Sequence, residues 1–357
     1  MADVPITTIS GPLGAGKTTL VNRLLSAPGG RRIAVLVNDM GEVNVDAELL
    51  ADDADDGIVD LSNGCICCRL QDDLVTAVEE VARRRTFDAL VVEASGISEP
   101  IPIAQALTVG ADGDDPPEGF RLDTTVTMVD AYGFWKAFDP DESLPDSAPD
   151  PQRPLAEVMV DQIEFCDVLL LNKCDTVPDD ALDTIEAEIR HLQPRAEVYR
   201  TTEAEIDPGL VLDTGAFDFE AASRQQGWKR ALADDGHGHD HSAAEEHGVE
   251  SFVYRAGRPF DPDAFDAWLD DWNGSIVRAK GFVWVASRPD TVIGMSQAGP
   301  AVRAGPIGEW GDDEPSTRLV FIGRDLDRDG ITNALDGFLV DPDDATPTGD
   351  DDPFPRE

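Results

Sequence analysis

Eight residues near the start of the sequence, Gly11-Pro12-Leu13-Gly14-Ala15-Gly16-Lys17-Thr18, constrain the fold more than any other feature. They satisfy the pattern G-x-x-x-x-G-K-[ST]. A short apolar run, Ile6 to Ile9, precedes them and reads as a buried strand. Lys17 to Ser26 follows and reads as a helix. That context is required, because the pattern works as a turn between a strand and a helix. Its glycines let successive backbone N–H groups point inward around an anion. The first amides of the helix add partial positive charge at the same place. Gly14, Ala15, Gly16, Lys17, Thr18 and Thr19 are therefore the candidate phosphate-binding residues. Lys17 reaches towards the β- and γ-phosphates of a nucleotide, and Thr18 is a ligand for Mg²⁺. The competing reading, an ordinary glycine-rich turn, leaves the lysine, the threonine and both flanks to coincidence.

Further short apolar runs follow: Ile33 to Val37, Ala89 to Val92, Thr125 to Val129 and Val168 to Leu171. Helical stretches such as Asp72 to Arg85 and Pro178 to His191 lie between them. Continuous apolar strands alternating with helices predict an α/β fold, a mainly parallel sheet covered on both faces. This layout spans residues 1–205. Gly110 to Gly119 and Asp139 to Pro154, rich in Asp, Gly and Pro, read as loops. Residues 206–250 read as an acidic linker containing His237, His239, His241 and His247. Order returns in 251–342, a smaller C-terminal α+β domain. Its strands are expected at Phe252 to Arg255, Ile276 to Val285, Thr291 to Ala298 and Thr317 to Ile322. Its helices are expected at Asp261 to Trp272, capped by Asp261, and Asp327 to Leu339. Residues 343–357, acidic and proline-rich, are expected to be a disordered tail.

Three more motifs carry chemistry. Asn172-Lys173-Cys174-Asp175 follows the strand Val168 to Leu171. A carboxylate there can accept hydrogen bonds from guanine N1–H and N2–H₂, which adenine does not present. The wrong base would leave buried polar groups unpaired. As a bare tetrapeptide in a loop it would mean little; after a late strand of this fold it points to GTP and GDP. Val91-Val92-Glu93-Ala94-Ser95-Gly96 ends an apolar strand in a carboxylate. Glu93 there can orient a Mg²⁺-bound water or the attacking water, and Gly96 can offer its N–H to the γ-phosphate. Glu93 and Lys17 are thus the candidate catalytic residues. A strand-end glutamate facing solvent is the plainer alternative. Gly64-Cys65-Ile66-Cys67-Cys68 holds three of the five cysteines. Near-adjacent cysteines bridge each other poorly, so a thiolate metal site is favoured over a disulfide framework. Three so closely spaced do not readily share one ion. Two of them with outside ligands, Glu42 being a candidate, suit zinc better. Buried, unreactive thiols are the alternative. The histidine tract either captures metal transiently or is only a polar linker. Cys166 and Cys174 read as packing residues.

The charge excludes several classes of partner. The sequence carries 72 acidic and 28 basic residues, a formal net charge of -44. Such a chain is not expected to bind nucleic acid or an anionic membrane nonspecifically. Self-repulsion at this level weakens a compact state in dilute buffer, and concentrated salt shortens the Debye length to about 3 Å at 1 M. A salt-loving source is expected, an acidic mesophile protein being the other reading. No run of roughly 18 apolar residues is present, so no transmembrane helix is expected. The first residues lack a basic stretch and an apolar signal core, so a cytoplasmic location is expected.

The ordered set GPLGAGKTT, NDMGEVNVD (Asn38 to Asp46), GCICC, VVEASGISEP (Val91 to Pro100) and LNKCD resembles the CobW-like P-loop GTPases. RAKGFVWVASRP (Arg278 to Pro289) and RLVFIGRDLD (Arg318 to Asp327) resemble that family's C-terminal domain. The resemblance implies a P-loop NTPase domain that hydrolyses GTP and handles metal, usually zinc, for client proteins. It implies zinc or cobalt binding at the CxCC motif, with Cys65, Cys67, Cys68 and Glu42 around the metal. It also implies phosphate and Mg²⁺ binding by Gly14, Gly16, Lys17 and Thr18, with Asn172 and Asp175 reading guanine. Some relatives have a metal-ligating glutamate where this sequence has Val37, which puts any additional site there in doubt. SGISEP stands where TGxADP is common, leaving Glu93 and Gly96 in place.

The expected function is a GTP-dependent metallochaperone that couples nucleotide state to delivery of zinc or cobalt to a metal-requiring client. Hydrolysis is expected to be slow alone, because no arginine finger is identifiable. A metal-buffering protein in which nucleotide is only a stabiliser is the rival from another class. A small-molecule kinase is a third, disfavoured by the NKxD pattern. The oligomeric state stays open, a homodimer included.

Overall fold

A computed structural model describes residues 3–37, 58–60, 74–79, 81, 83, 87–110, 115–138, 155–224, 249–270, 275–311, 313–341 and 352–355. Its contacts divide into two compact units that interleave along the sequence. The first is Met1–Phe134, Val158–Leu182 and Arg195–Gln225; the second is Trp135–Glu157, Asp183–Pro194 and Gln226–Glu357. A single boundary near residue 205 therefore does not describe the packing.

The first unit is built on seven strands: β1 (Val4–Ser10), β2 (Ile33–Val37), β3 (Ile58–Asp60), β4 (Ala89–Glu93), β5 (Phe120–Asp130), β6 (Val168–Asn172) and β7 (Glu197–Arg200). Their order is β3-β2-β4-β1-β5-β6-β7. Every pairing is parallel. The continuous apolar runs follow from burial on both faces, since β2, β4 and β6 are buried at every residue. Period-two alternation sorts their side chains. Ala34, Leu36, Leu90 and Val92 pack in one cluster, and Val35, Val37, Val91 and Leu170 in another. Wholly within this unit are α1 (Lys17–Ser26), α2 (Pro100–Thr108) and α6 (Phe219–Arg224), with residues 74–79, 81 and 83 also helical; α3 (Ala131–Phe138), α4 (Leu155–Phe165) and α5 (Asp179–Leu192) are divided between the two units. The strand order reverses direction around β1, flanked by β4 and β5. The crevice outside the carboxyl ends of such strands is where open α/β sheets bind ligands.

The second unit holds an antiparallel sheet of β8 (Val249–Ala256), β9 (Ile276–Val283), β10 (Thr291–Ala298), β11 (Ala301–Glu309) and β12 (Thr317–Arg324), in the order β11-β10-β9-β12-β8. Helices α7 (Pro262–Leu269) and α8 (Arg328–Gly337) pack Phe265, Leu269, Ile331 and Leu335 against Phe252, Ala279, Leu319 and Phe321 of that sheet. Asp261 caps α7 by accepting from the Ala264 N–H at 2.9 Å, and Asp327 caps α8 through Gly330 at 2.9 Å. Glu188, in the part of α5 assigned to this unit, is buried and meets the Arg324 guanidinium. Burial pushes its carboxyl up to about 7, against the pull of Arg324.

One expectation needs correction, and three elements were not named in the sequence. β11, with Gly305, Pro306 and Gly308, is a strand that the sequence reading did not name. Helices α3 and α4 were likewise not named from the sequence. The segment 352–355, assigned to a disordered tail, is seated in the second unit's core, with Phe354 4% exposed. Among the described residues, no helix is long and apolar enough to cross a membrane.

Candidate nucleotide site

The glycine-rich loop begins where β1 ends. Gly11 has φ +139°, and a Cβ there would lie 2.2 Å from the Met128 carbonyl oxygen on β5. Gly16, at φ +106°, is the N-cap of α1 and supplies no side chain to its amides. Those N–H groups are left to an anion. Gly14 has φ +79°. Each of these three backbones lies in a region that side chains disfavour.

Lys17 is buried, and its Nζ donates to the Gly11 carbonyl at 2.9 Å and to Pro12 at 3.4 Å. The ammonium thus lies across its own loop. The next residue faces β4: Thr18 Oγ1 donates to Glu93 Oε1 at 3.1 Å. Glu93 ends β4 opposite Ile9 and Val37 and is 3% exposed. A hydroxyl and a carboxylate oxygen this close form a hard donor set that suits Mg²⁺. Gly96 passes so near the loop that a Cβ would lie 2.8 Å from the Leu13 nitrogen. Gln162 on α4 holds that turn, donating to the Ser98 carbonyl at 3.1 Å.

The base end is built differently from expectation. Asn172 closes β6 and is 2% exposed. Its Nδ2 donates to the Ala15 carbonyl at 2.9 Å. Its Oδ1 accepts from Thr201 Oγ1 at 3.0 Å and from the Ala204 N–H at 2.9 Å. One side chain thereby joins the phosphate loop, β6 and the loop after β7. Lys173 adopts a left-handed backbone (φ +57°) and donates to Asp130 Oδ2 at 2.8 Å. Cys174–Thr176 forms a short 3-10 turn that leaves Asp175 exposed. Of the pair expected to read guanine, Asp175 presents its carboxylate outward while Asn172 is held by loops.

Sequence reasoning missed Thr201, Ala204, Asp130 and Gln162. The 201–204 loop has no motif; its shape rests on positive φ at Glu203 and Ala204. Arg23 on α1 holds it, donating to the Glu203 carbonyl at 2.6 Å. Cys166 is buried, which pushes its thiol pKa up, as suits a packing residue. Cys174 is half-buried, its Sγ 3.1 Å from the Leu171 carbonyl.

Glu42, Cys65, Cys67, Cys68 and the histidine tract lie outside the described residues. Their points of departure do not. β2 ends at Val37, in register with both Glu93 of β4 and Asp60 of β3. The segment starting at residue 38 and the segment starting at residue 61 therefore both leave the sheet at the edge that carries Glu93.

Comparison with known proteins identifies the family of both units. The family model described as CobW/HypB/UreG, nucleotide-binding domain, matches residues 5–200. The cobalamin synthesis protein cobW C-terminal domain matches residues 249–339. A zinc-regulated GTPase metalloprotein activator 1 of Dictyostelium discoideum is 37% identical over 328 residues, covering 86% of this chain and 68% of the relative. The zinc chaperone CobW of Pseudomonas aeruginosa is 31% identical over 360 residues, covering 94% and 91%. The zinc chaperone YjiA of Escherichia coli is 28% identical over 349 residues, covering 95% and 99%.

Proposed function

Because this chain belongs to the CobW/HypB/UreG nucleotide-binding family and is a GTPase, we propose that it uses the GTP cycle to load zinc and pass it to a metal-requiring client protein. The observation that carries this reading is the alignment of Val37, Asp60 and Glu93 at one sheet edge. The segments bearing Glu42 and the CxCC motif both begin beside the residue that meets Thr18.

The chain's own groups divide the work. The α1 amides and Lys17 hold the phosphates, the lysine exchanging its loop carbonyls for phosphate oxygens. Thr18 and Glu93 hold Mg²⁺, which when bound neutralises charge on the β- and γ-phosphates. Glu93, fixed at the end of β4, also orients water on the γ-phosphate side, and the Gly96 N–H faces the same phosphate. Asp175 accepts from guanine N1–H and N2–H₂, Lys173 lies along the base, and Asn172 keeps the two loops in register. Zinc is cargo, taken by two thiolates of the Cys65, Cys67 and Cys68 motif with outside ligands that include Glu42; cobalt is the other ion these donors suit. We place this work in the cytoplasm, where thiols stay reduced.

The test measures zinc and nucleotide together in high KCl. The Cys67→Ala, Cys68→Ala double variant is expected to lose tight zinc binding while keeping GTP. The unsubstituted chain is expected to bind zinc with different affinity in GDP and in a GTP analogue. Equal zinc affinity in both nucleotides would instead favour a metal store in which nucleotide is only a stabiliser.

A further inference from the structure

The segment Asp352–Pro355 sits in a pocket of the second unit that is built like a recognition site for a short peptide. Arg288, in the turn region after β9, supplies most of the polar contact. Its Nε donates to Asp352 Oδ2 at 2.8 Å and its Nη2 to Oδ1 at 2.5 Å. The same guanidinium donates to two backbone carbonyls, Phe354 at 2.7 Å and Pro355 at 2.9 Å. Ser287, 4% exposed, adds its hydroxyl to Asp352 Oδ2 at 2.6 Å. Asp352 Oδ1 also accepts the Phe354 N–H at 3.1 Å, which folds the segment into a tight turn.

The apolar half of the pocket is equally specific. The Phe354 ring enters the main cluster of this unit, its centroid 6.3 Å from that of Phe265 on α7. Pro355 lies over Gly305 of β11 so closely that a Cβ there would be 3.0 Å from Pro355 Cγ. Burial alone would raise the Asp352 carboxyl, but its hydrogen bonds from Arg288 and Ser287 and the guanidinium charge outweigh that and lower it.

Little else of the fold depends on the segment. It adds no strand to the five-stranded sheet. It contributes one apolar side chain, Phe354, to a cluster otherwise supplied by α7, α8, the strands and connecting residues such as Phe260, Val285 and Leu326. In the sequence, residues 342–351 lie between Asp341 and this segment. Side-chain recognition of an acidic residue, an aromatic anchor and backbone carbonyls is how short motifs dock.

We propose that Asp352–Pro355 is a tethered ligand, and that its pocket recognises a partner protein segment in which an aspartate lies two residues before a Phe-Pro pair. Tethering sets the exchange. For a ligand on the same chain at an effective concentration on the order of 1 mM, a free-peptide Kd of about 0.1 mM corresponds to about one pocket in eleven open at any time. A partner segment captures that open fraction and displaces the resident one.

The test uses the full chain with Phe354→Ala, which empties the aromatic pocket, and a fluorescent peptide carrying residues 350–357. Anisotropy is expected to report saturable one-to-one binding to this variant, and binding at least tenfold weaker to the unsubstituted chain. Changing Phe to Ala in the peptide, or adding Arg288→Ala to the variant, is expected to abolish it. A Phe354→Ala chain that keeps GTP hydrolysis and its near-ultraviolet tryptophan signal, yet binds no peptide, overturns the proposal. Should that variant fail to fold, hydrogen exchange of the unsubstituted chain decides. The Phe354 amide is expected to exchange at least a hundredfold faster than the amides of β9 and β12, and faster still with saturating free peptide. Exchange of Phe354 only together with the sheet makes the segment a piece of core and overturns the proposal.

Discussion

Replacing Asn172 with alanine cuts three hydrogen bonds at once, those to the Ala15 carbonyl, the Thr201 hydroxyl and the Ala204 amide. Each contributes about 1 kcal/mol net, and a buried partner left unsatisfied costs about 1–3 kcal/mol more. Ala15 and Ala204 are both fully buried, so little water reaches the groups left behind. A loss of about 3–5 kcal/mol follows, a large share of the 5–15 kcal/mol typical of a folded domain. The same cut releases the phosphate loop from the 201–204 loop, so nucleotide affinity is expected to fall by about ten- to a hundredfold, equivalent to about 1.4–2.8 kcal/mol. Because the amide is directed at Ala15 and not outward, the fall is expected to be the same for GTP and for inosine triphosphate. Urea unfolding measures the first quantity, and titration with fluorescent nucleotides the second. Asn172→Asp, which keeps the acceptor and loses the donor, should be at least as damaging. A stability loss below about 1 kcal/mol, or an affinity loss confined to guanine, would refute the tie and return Asn172 to base reading.

Asp175→Asn exchanges a pure acceptor for a side chain that also donates, so preference is expected to move from GTP towards xanthosine triphosphate; competition binding with both nucleotides checks it. Glu188 has a folded-state pKa raised to about 7 from an ordinary 4.5, so the folded chain binds the extra proton between those values. Its contribution to stability is therefore lost as pH rises from about 4.5 to 7. Relative to the unsubstituted chain, Glu188→Gln should become steadily more stable over that window and level off above it, as read by thermal unfolding at fixed salt. With a net charge of -44, the melting temperature should climb between 0.2 and 3 M KCl, and a flat response would remove the salt-loving reading.

Five of the seven strands were legible because they carry runs of apolar residues, as β2, β4 and β6 do when buried on both faces, whereas three-residue β3 and the polar β7 (Glu197–Arg200) were not. That Thr18 and Glu93 meet, and that Gly96 approaches the glycine-rich loop, was legible because their motifs fall at the ends of paired strands and at the start of α1. Asn172 was legible as a position but not as a role. Its motif says where the residue falls, while its contacts come from residues about thirty and a hundred and fifty places away. Thr201 and Ala204 were not legible, because a loop shaped by left-handed backbone at Glu203 and Ala204 leaves no pattern in residue type. The 352–355 segment was obscured by composition. Acid and proline around it outweighed one phenylalanine, whose pocket is assembled from α7, β11 and the turn holding Arg288.

β11 shows what such misleading residues can be for. It is the outer strand of the five-stranded sheet, and an outer strand exposes backbone groups on which a further chain can polymerise. Pro306 has no N–H to give, and the ladder beside it shifts register between Val292 and Ile293. Both features discourage a flat, extendable edge. In a chain whose charge repulsion is screened at high salt, electrostatics gives weak insurance against aggregation. The glycine and proline that hid this strand in the sequence then act as its local safeguard.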